Sequence, residues 1–203
     1  TSHSNPYQIA SGPDGALWFT ESAGNKIGRL APGSATIAEY SVPTAGAFPA
    51  GITSGPDGAL WFAEYDSGKI GRASVSGSIA EFTQGTSSYG PVGIASGPDG
   101  NLWFADCDGA IGRITTSGAS TLFYTDTITP AAGLPVAITP GADGAMWFAA
   151  CPNSIGRIAT DGSVTAYTVP VANSITFYSG IARGADGALW FTQPSSDRIG
   201  RLQ

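Results

Sequence analysis

Histidine occurs once in these 203 residues, at His3, and charged residues make up only 12% of them. Scarce charge and a net charge of -6 exclude a general phosphate-binding surface, so nucleic acid is not an expected partner. Two cysteines, Cys107 and Cys151, are too few for a disulfide framework and fit no zinc spacing. No apolar run approaches the ~18 to 20 residues that cross a bilayer, so no membrane partner is expected. No signal-like apolar segment opens the chain at Thr1, which reads as either processing or a cut chain. What is plentiful is glycine, at 29 residues, beside 42% hydrophobic and 10% aromatic content, a composition for one folded domain. Abundant Gly, Ala, Ser and Thr with little Lys leans toward an exported protein.

The tryptophans organise the chain. Trp18, Trp61, Trp103, Trp147 and Trp190 are spaced by 43, 42, 44 and 43 residues, and no tryptophan falls outside the series. Each copy reads Gly-(Pro/Ala)-Asp-Gly, two residues, Trp-Phe, a variable connection and Ile-Gly-Arg. Short apolar runs between Gly, Asp, Pro and Ser have the period of strands, and no stretch keeps helical spacing for three turns. The second copy reads as strand a at 51–54, b at 60–64, c at 69–74 and d at 78–83. Asp57-Gly58 between a and b is a hairpin signal for a primed turn. Four antiparallel strands per ~40 residues is a propeller blade. The expected fold is therefore all-β: one β-propeller domain over 1–203, with repeats at about 6–43, 49–85, 91–126, 135–170 and 178–203.

Asp14, Asp57, Asp99, Asp143 and Asp186 recur as turn residues, and five of the nine basic residues are the arginines of Ile-Gly-Arg. Strand alternation puts both sets at one end of each blade, where they pair along a rim or stay solvated; neither set is catalytic on either reading. The d strands end in an aromatic, read at Tyr40, Phe82, Tyr124 and Tyr167, whereas the fifth copy stops at Gln203 just after strand c. Residues 1–5 are too short to supply the missing strand. Three closures are open: a five-bladed ring with one three-stranded blade, an arc of a larger propeller, or an arc completed by a second copy. The closed monomeric ring is the expectation, with a strand-completing oligomer as the alternative.

The words Gly-Pro-Asp-Gly-Ala-Leu-Trp-Phe-Thr-Glu at 12–21, the Ile-Gly-Arg triplets and Pro-Ala-Gly-Ile-Thr at 49–53 resemble the virginiamycin B lyase (streptogramin B lyase) family over essentially the whole chain. The resemblance implies a seven-bladed propeller that opens a cyclic depsipeptide antibiotic by elimination at its ester, aided by magnesium. It also implies histidines after the proline that enters strand a, with glutamates nearby and in a b-to-c connection. Here the entry positions hold Tyr7, Ala50, Val92 and Val136, the fifth copy has Tyr178-Ser179-Gly180-Ile181, and the residues before the proline are Asn5, Phe48, Gly90 and Leu134. His3 reads as a solvated tail residue. Elimination beside an ester carbonyl needs a base in hydrogen-bond reach and a group that stabilises the enolate. No base of the family's type is present, so a non-catalytic scaffold or ligand-binding module is expected, with no cofactor. The alternative is an active lyase, with magnesium.

In a propeller the d-to-a and b-to-c connections share one face, and in this chain they vary while the framework repeats. That face gathers Tyr7, Phe48, Tyr89, Phe177 and Tyr178 with Glu21, Glu64, Tyr65, Asp66, Asp106 and Asp108. Aromatic platforms beside carboxylates suit a small molecule, a peptide or a glycan, or a cationic ligand. The plainer reading, ordinary loop residues on an acidic protein, stays open. Glu64 with Asp66, or Asp106 with Asp108, could take a divalent cation through carboxylate oxygens, though each pair alone supplies few ligands, and no metal site is assigned. Cys107 and Cys151 sit at equivalent places in adjacent blades, further apart than the ~7 Å limit for a disulfide, and are expected as free thiols.

Overall fold

Each Gly-Pro-Asp-Gly word does one mechanical task per residue, seen most simply in the second copy. In a computed structural model, which describes residues 2–84, 90–125 and 133–203, the amide of Gly58 donates to the carbonyl of Gly55 at 3.2 Å and closes a tight turn. Of the residues in that turn only Gly58 has positive φ, at 71°. The expected primed turn is thus corrected to a type I turn followed by a left-handed glycine. The turn lies one residue earlier than expected, between Gly55 and Gly58, and Pro56 takes its first central position, where the ring holds φ near the −60° of a type I turn. Gly55 leaves room for an indole, because a Cβ there would lie 2.4 Å from Cδ1 of Trp61.

The turns connect five antiparallel sheets. Blade 1 holds β1 (Pro6–Ser11), β2 (Leu17–Glu21), β3 (Lys26–Leu30) and β4 (Ile37–Ser41); blade 2 holds β5 (Pro49–Ser54), β6 (Leu60–Glu64), β7 (Lys69–Ala73) and β8 (Ile79–Thr83). Blade 3 holds β9 (Pro91–Ser96), β10 (Leu102–Asp106), β11 (Ala110–Ile114) and β12 (Ser120–Tyr124). Blade 4 holds β13 (Leu134–Pro140), β14 (Met146–Cys151), β15 (Ser154–Ile158) and β16 (Val164–Thr168). Blade 5 has three strands, β17 (Ile181–Arg183), β18 (Leu189–Gln193) and β19 (Arg198–Leu202). The first strand of each blade lies innermost, so β1 contacts β5, β5 contacts β9, β9 contacts β13 and β13 contacts β17.

Register explains the other repeated words. Phe62 faces Gly71 across β6 and β7, and a Cβ on Gly71 would sit 2.1 Å from Cζ of the ring. The glycine of Ile-Gly-Arg is the floor on which the phenylalanine lies. Trp61 faces Arg72, and one carboxylate serves both: the Trp61 Nε1–H donates to Asp57 Oδ1 at 3.0 Å and Arg72 Nε donates to Oδ2 at 2.7 Å. Rim pairing recurs as Arg29 with Asp14 at 2.7 Å, Arg157 with Asp143 at 2.6 Å and Arg201 with Asp186 at 2.9 Å. Blade 3 is looser, with Arg113 at 3.9 Å from Asp99. There Asn101 stands where the other copies have alanine, and its amide takes Asp99 Oδ2 at 2.9 Å.

In blades 1 to 4 the outer face of the tryptophan is covered by a ring from the fourth strand. Trp18 stacks on Tyr40, Trp61 on Phe82, Trp103 on Phe123 and Trp147 on Tyr167, at 5.5 to 5.7 Å. Phe123 therefore replaces Tyr124 as the stacking residue of blade 3. It is Phe123 that pairs with Ile111, as Tyr40 pairs with Ile27, and Tyr124 points out with 57% exposure.

Core clusters straddle neighbouring blades rather than filling each one. Trp18 of blade 1 joins Ile52, Leu60 and Phe62 of blade 2, and Trp61 joins Ile94, Leu102 and Phe104 of blade 3. The tryptophan face of one blade thus packs on the phenylalanine face of the next. At the two ends this stops: Ile9 and Leu17 on blade 1, and Trp190 and Ile199 on blade 5, are exposed. The sequence of inner-strand contacts does not return from β17 to β1 with comparable packing. The expected closed ring is corrected to an arc, because the faces that would meet to close it remain in solvent.

Position in the arc should decide what a tryptophan contributes. Trp61→Ala is expected to lose about 3 to 5 kcal/mol, and Trp190→Ala, at 41% exposure, less than about 1 kcal/mol. Denaturant unfolding of both variants checks this, and equal losses would contradict the seam account.

Candidate functional site

The entry to each first strand and the turn between the second and third are tied by backbone hydrogen bonds. Tyr65 N donates to Phe48 O at 3.2 Å, Gly90 N to Tyr65 O at 3.0 Å, and Ser22 N to Asn5 O at 3.1 Å. The turn of blade 2 is thereby fastened to its own entry and to that of blade 3. Phe48 adopts φ 53°, a left-handed conformation that costs a bulky residue roughly 1 to 3 kcal/mol. It brings the ring against Tyr65 at 6.0 Å.

From Tyr65 the aromatic contacts continue to the far end of the chain. Tyr65 meets Phe177 edge-on at 5.4 Å, and Phe177 meets Tyr178 at 5.7 Å. Four of the expected face residues thus form one line from blade 2 to the entry of blade 5. Beside it a cavity of about 350 Å³ runs between the inner strands, lined by Tyr7, Gln8, Val92, Val136, Phe177 and Tyr178 among others, none of them charged. Tyr7 is 37% exposed, and partial burial, with Tyr178 nearby, raises its phenol above the ordinary range. Gln8 was not anticipated; its Oε1 accepts from Ile52 N at 2.9 Å and ties blade 1 to blade 2. Tyr89 lies outside the described residues.

The carboxylates do not join this line. Glu21, Glu64 and Asp106 end their strands on the same side as Phe19, Phe62 and Phe104, two residues earlier, and are buried at 3%, 0% and 0% exposure. Each keeps one oxygen without a hydrogen-bond partner among the described residues. Burial pushes the Glu64 carboxyl from 4.5 up to about 7; Ser67 and Lys69 oppose the rise and the Glu81 carboxylate adds to it. Burial pushes Asp106 up to about 6 against a hydrogen bond from Asp108 N, which reaches Oδ1 at 2.9 Å. Asp66 and Asp108 are exposed on their turns. A second network went unforeseen. Glu81 accepts from Thr44 N and Oγ1, both at 2.8 Å, and from Lys69 Nζ at 3.0 Å. Its sequence signal is the Lys on the third strand with Glu on the fourth, which recurs as Lys26 with Glu39.

The donor set does not suit a divalent cation. Among the described residues no group of three or more His, Cys, Asp or Glu side chains gathers as a metal would require. Both cysteines are free thiols. Burial pushes the Cys107 thiol up to about 11, with Asp106 and Asp108 adding to it, and burial raises Cys151 as well, so neither is primed as a nucleophile.

The profile described as the virginiamycin B lyase family matches residues 1–130 and 108–203. Virginiamycin B lyase of Bordetella bronchiseptica is 51% identical over 43 residues, which are 21% of this chain and 14% of that protein. The crystal structure of virginiamycin B lyase from Staphylococcus aureus matches with a TM-score of 0.92 and 41% identity, over 100% of this chain and 68% of that one. A catalytically inactive His-to-Ala variant of the Staphylococcus aureus enzyme with quinupristin matches with a TM-score of 0.92 and 40% identity, again over 68% of its length. The chain thus spans about two thirds of these structures and a small part of the curated relative.

The two kinds of carboxyl should oppose each other in pH. Raised groups such as Glu64 favour the protonated folded state, so their stabilisation is full below the ordinary carboxylate pKa and fades as pH rises toward about 7. In Asp57 the hydrogen bonds from Trp61 and Arg72 outweigh burial, and its lowered pKa gives stability that is lost as pH falls through it. Melting temperature followed across pH is expected to peak on the acid side of neutral. Glu64→Gln should flatten the fall between about pH 5 and 7; an unchanged fall would contradict the assignment.

Proposed function

The chain belongs to the virginiamycin B lyase family, and from that premise we propose that its five blades act as a binding scaffold rather than as a catalyst of ester elimination. One observation carries the reading: the sole histidine is His3. It lies exposed in the turn ahead of β1, with φ 62°. The strand entries carry Tyr7, Ala50, Val92 and Val136, none of which takes a proton near neutral pH. Glu64, with a pKa of about 7, has a base's affinity for a proton, but it is fully buried between blades and does not line the cavity. A base must reach the proton it removes.

Binding is supported by the line Phe48, Tyr65, Phe177, Tyr178 and by the uncharged cavity beside it. Rings set edge to face with open flanks suit the apolar faces of a cyclic peptide. Quinupristin, present with the inactive Staphylococcus aureus variant, is the natural first probe. Elimination leaves the mass of a cyclic depsipeptide unchanged, so the product must be read by chromatographic retention. Incubation with quinupristin is expected to give saturable tyrosine fluorescence changes and no linear product. Appearance of the linear product at a rate proportional to protein would overturn the reading.

A further inference from the structure

Blade 5 enters its sheet differently from the other four. An isoleucine pairs with the phenylalanine of the second strand in every blade, at Ile9, Ile52, Ile94, Ile138 and Ile181, and marks the same place in each. In blades 1 to 4 three or four strand residues precede it, whereas β17 begins at Ile181 itself. The residues before Ile181 fold into a turn instead. Ser179 N donates to Thr176 O at 2.9 Å, Thr176 N to Ser179 Oγ at 2.9 Å and Tyr178 N to Thr176 Oγ1 at 3.3 Å. Bonded to itself in this way the turn keeps its shape as a unit, with Phe177 at its tip.

Both ends of this segment are fastened by hydrogen bonds, and its tip is held by ring packing. The Gln193 amide, at the place where blades 1 to 3 carry a buried acid, donates to the Oγ of the fully buried Ser174 at 3.0 Å. Ile175 N donates to Pro152 O at 2.9 Å, and Gly180 N to Thr192 Oγ1 at 2.8 Å. Phe177 rests on the seam of blades 4 and 5, on the cluster that contains Val136 and Ile175. Its ring also reaches blade 2, where it meets Tyr65 edge-on at 5.4 Å. Phe177 lines the cavity between the inner strands and Tyr65 does not. The segment therefore crosses above the cavity, bonded on its own side and joined to the far side through a ring contact.

We propose that residues 174–180 are a strap over the cavity, and that the contact of Phe177 with Tyr65 is the latch that parts to admit a ligand. The inference rests on the reading of the central face as a binding surface and adds how access to that surface is controlled. An edge-to-face ring pair favours the closed arrangement by a factor of about two to ten. A ring-bearing ligand outcompetes such a latch by stacking on either ring, while the hydrogen bonds at the base keep the strap attached.

A thiol placed in the cavity wall by Ala137→Cys, in protein carrying Cys107→Ser and Cys151→Ser, reports opening without any ligand through its rate of alkylation by iodoacetamide. Phe177→Ala is expected to raise that rate about two- to tenfold. Tyr65→Ala should raise it as much, although Tyr65 is not in the cavity wall, and the double variant should be no faster than either, because both break one contact. Unfolding midpoints in urea, measured alongside, separate opening of the strap from loss of the whole fold. No change in rate, an effect of Phe177→Ala alone, additive effects, or rates that follow the unfolding midpoint would overturn the strap. Quinupristin should slow the alkylation. If it does not bind while Tyr65→Ala still quickens alkylation, the ligand-binding reading loses its probe and the strap stands.

Discussion

The indole of each repeat's tryptophan is the constraint on which the rest of this fold depends. In its complete form it is held by an aspartate on its N–H, an arginine over its ring, an aromatic stacked on its other side and a glycine beneath its edge. Trp61 has all four, from Asp57, Arg72 at 5.9 Å, Phe82 and Gly55. Because the same carboxylate also binds the arginine, the hairpin turn, the second strand and the third strand are fixed relative to one another by one side chain. A buried indole without an acceptor would carry an unmatched donor, and an aspartate without the arginine would be a desolvated charge. The repeated words are the list of the indole's neighbours.

That arrangement leaves little of the repeated chemistry for function. The recurrent Asp and Arg residues are spent on the rim, and the recurrent carboxylates at 21, 64 and 106 are buried behind the phenylalanines. What varies lies at the strand entries and the turns after the second strand. There the chain places rings rather than charges, and the line from Phe48 to Tyr178 crosses from blade 2 to blade 5 beside an uncharged cavity. The framework supplies rigidity, and the aromatic ends supply rings beside an uncharged cavity.

Much of the fold was legible because it recurs, and a unit of about 43 residues can be aligned on itself. The strands of the second copy fall within two residues of their expected ends, and the rim pairs follow from strand alternation. Other features depended on terms the pattern carries only weakly. Asp57-Gly58 suggests a primed turn, but the proline before it sets the backbone. Phe123 and Tyr124 are adjacent, and only the pairing with Ile111 tells which one reaches the tryptophan. Ring closure depends on curvature accumulated over four seams, which no local word encodes. The burial of Glu64 was available in the alternation with Phe62, and it was the expectation that acidic turn residues face solvent that hid it. The face aromatics were readable as types, whereas their contact across the arc required the fold.

The indole N–H groups themselves report on the central claim. Hydrogen exchange at the five tryptophan Nε1 positions, followed by nuclear magnetic resonance, should be slow at Trp18, Trp61 and Trp103, which are fully buried. Exchange should be faster at the half-buried Trp147 and fastest at Trp190, which is 41% exposed and has no stacking ring among the described residues. Uniformly fast exchange, or protection at Trp190 equal to that at Trp61, would contradict the account.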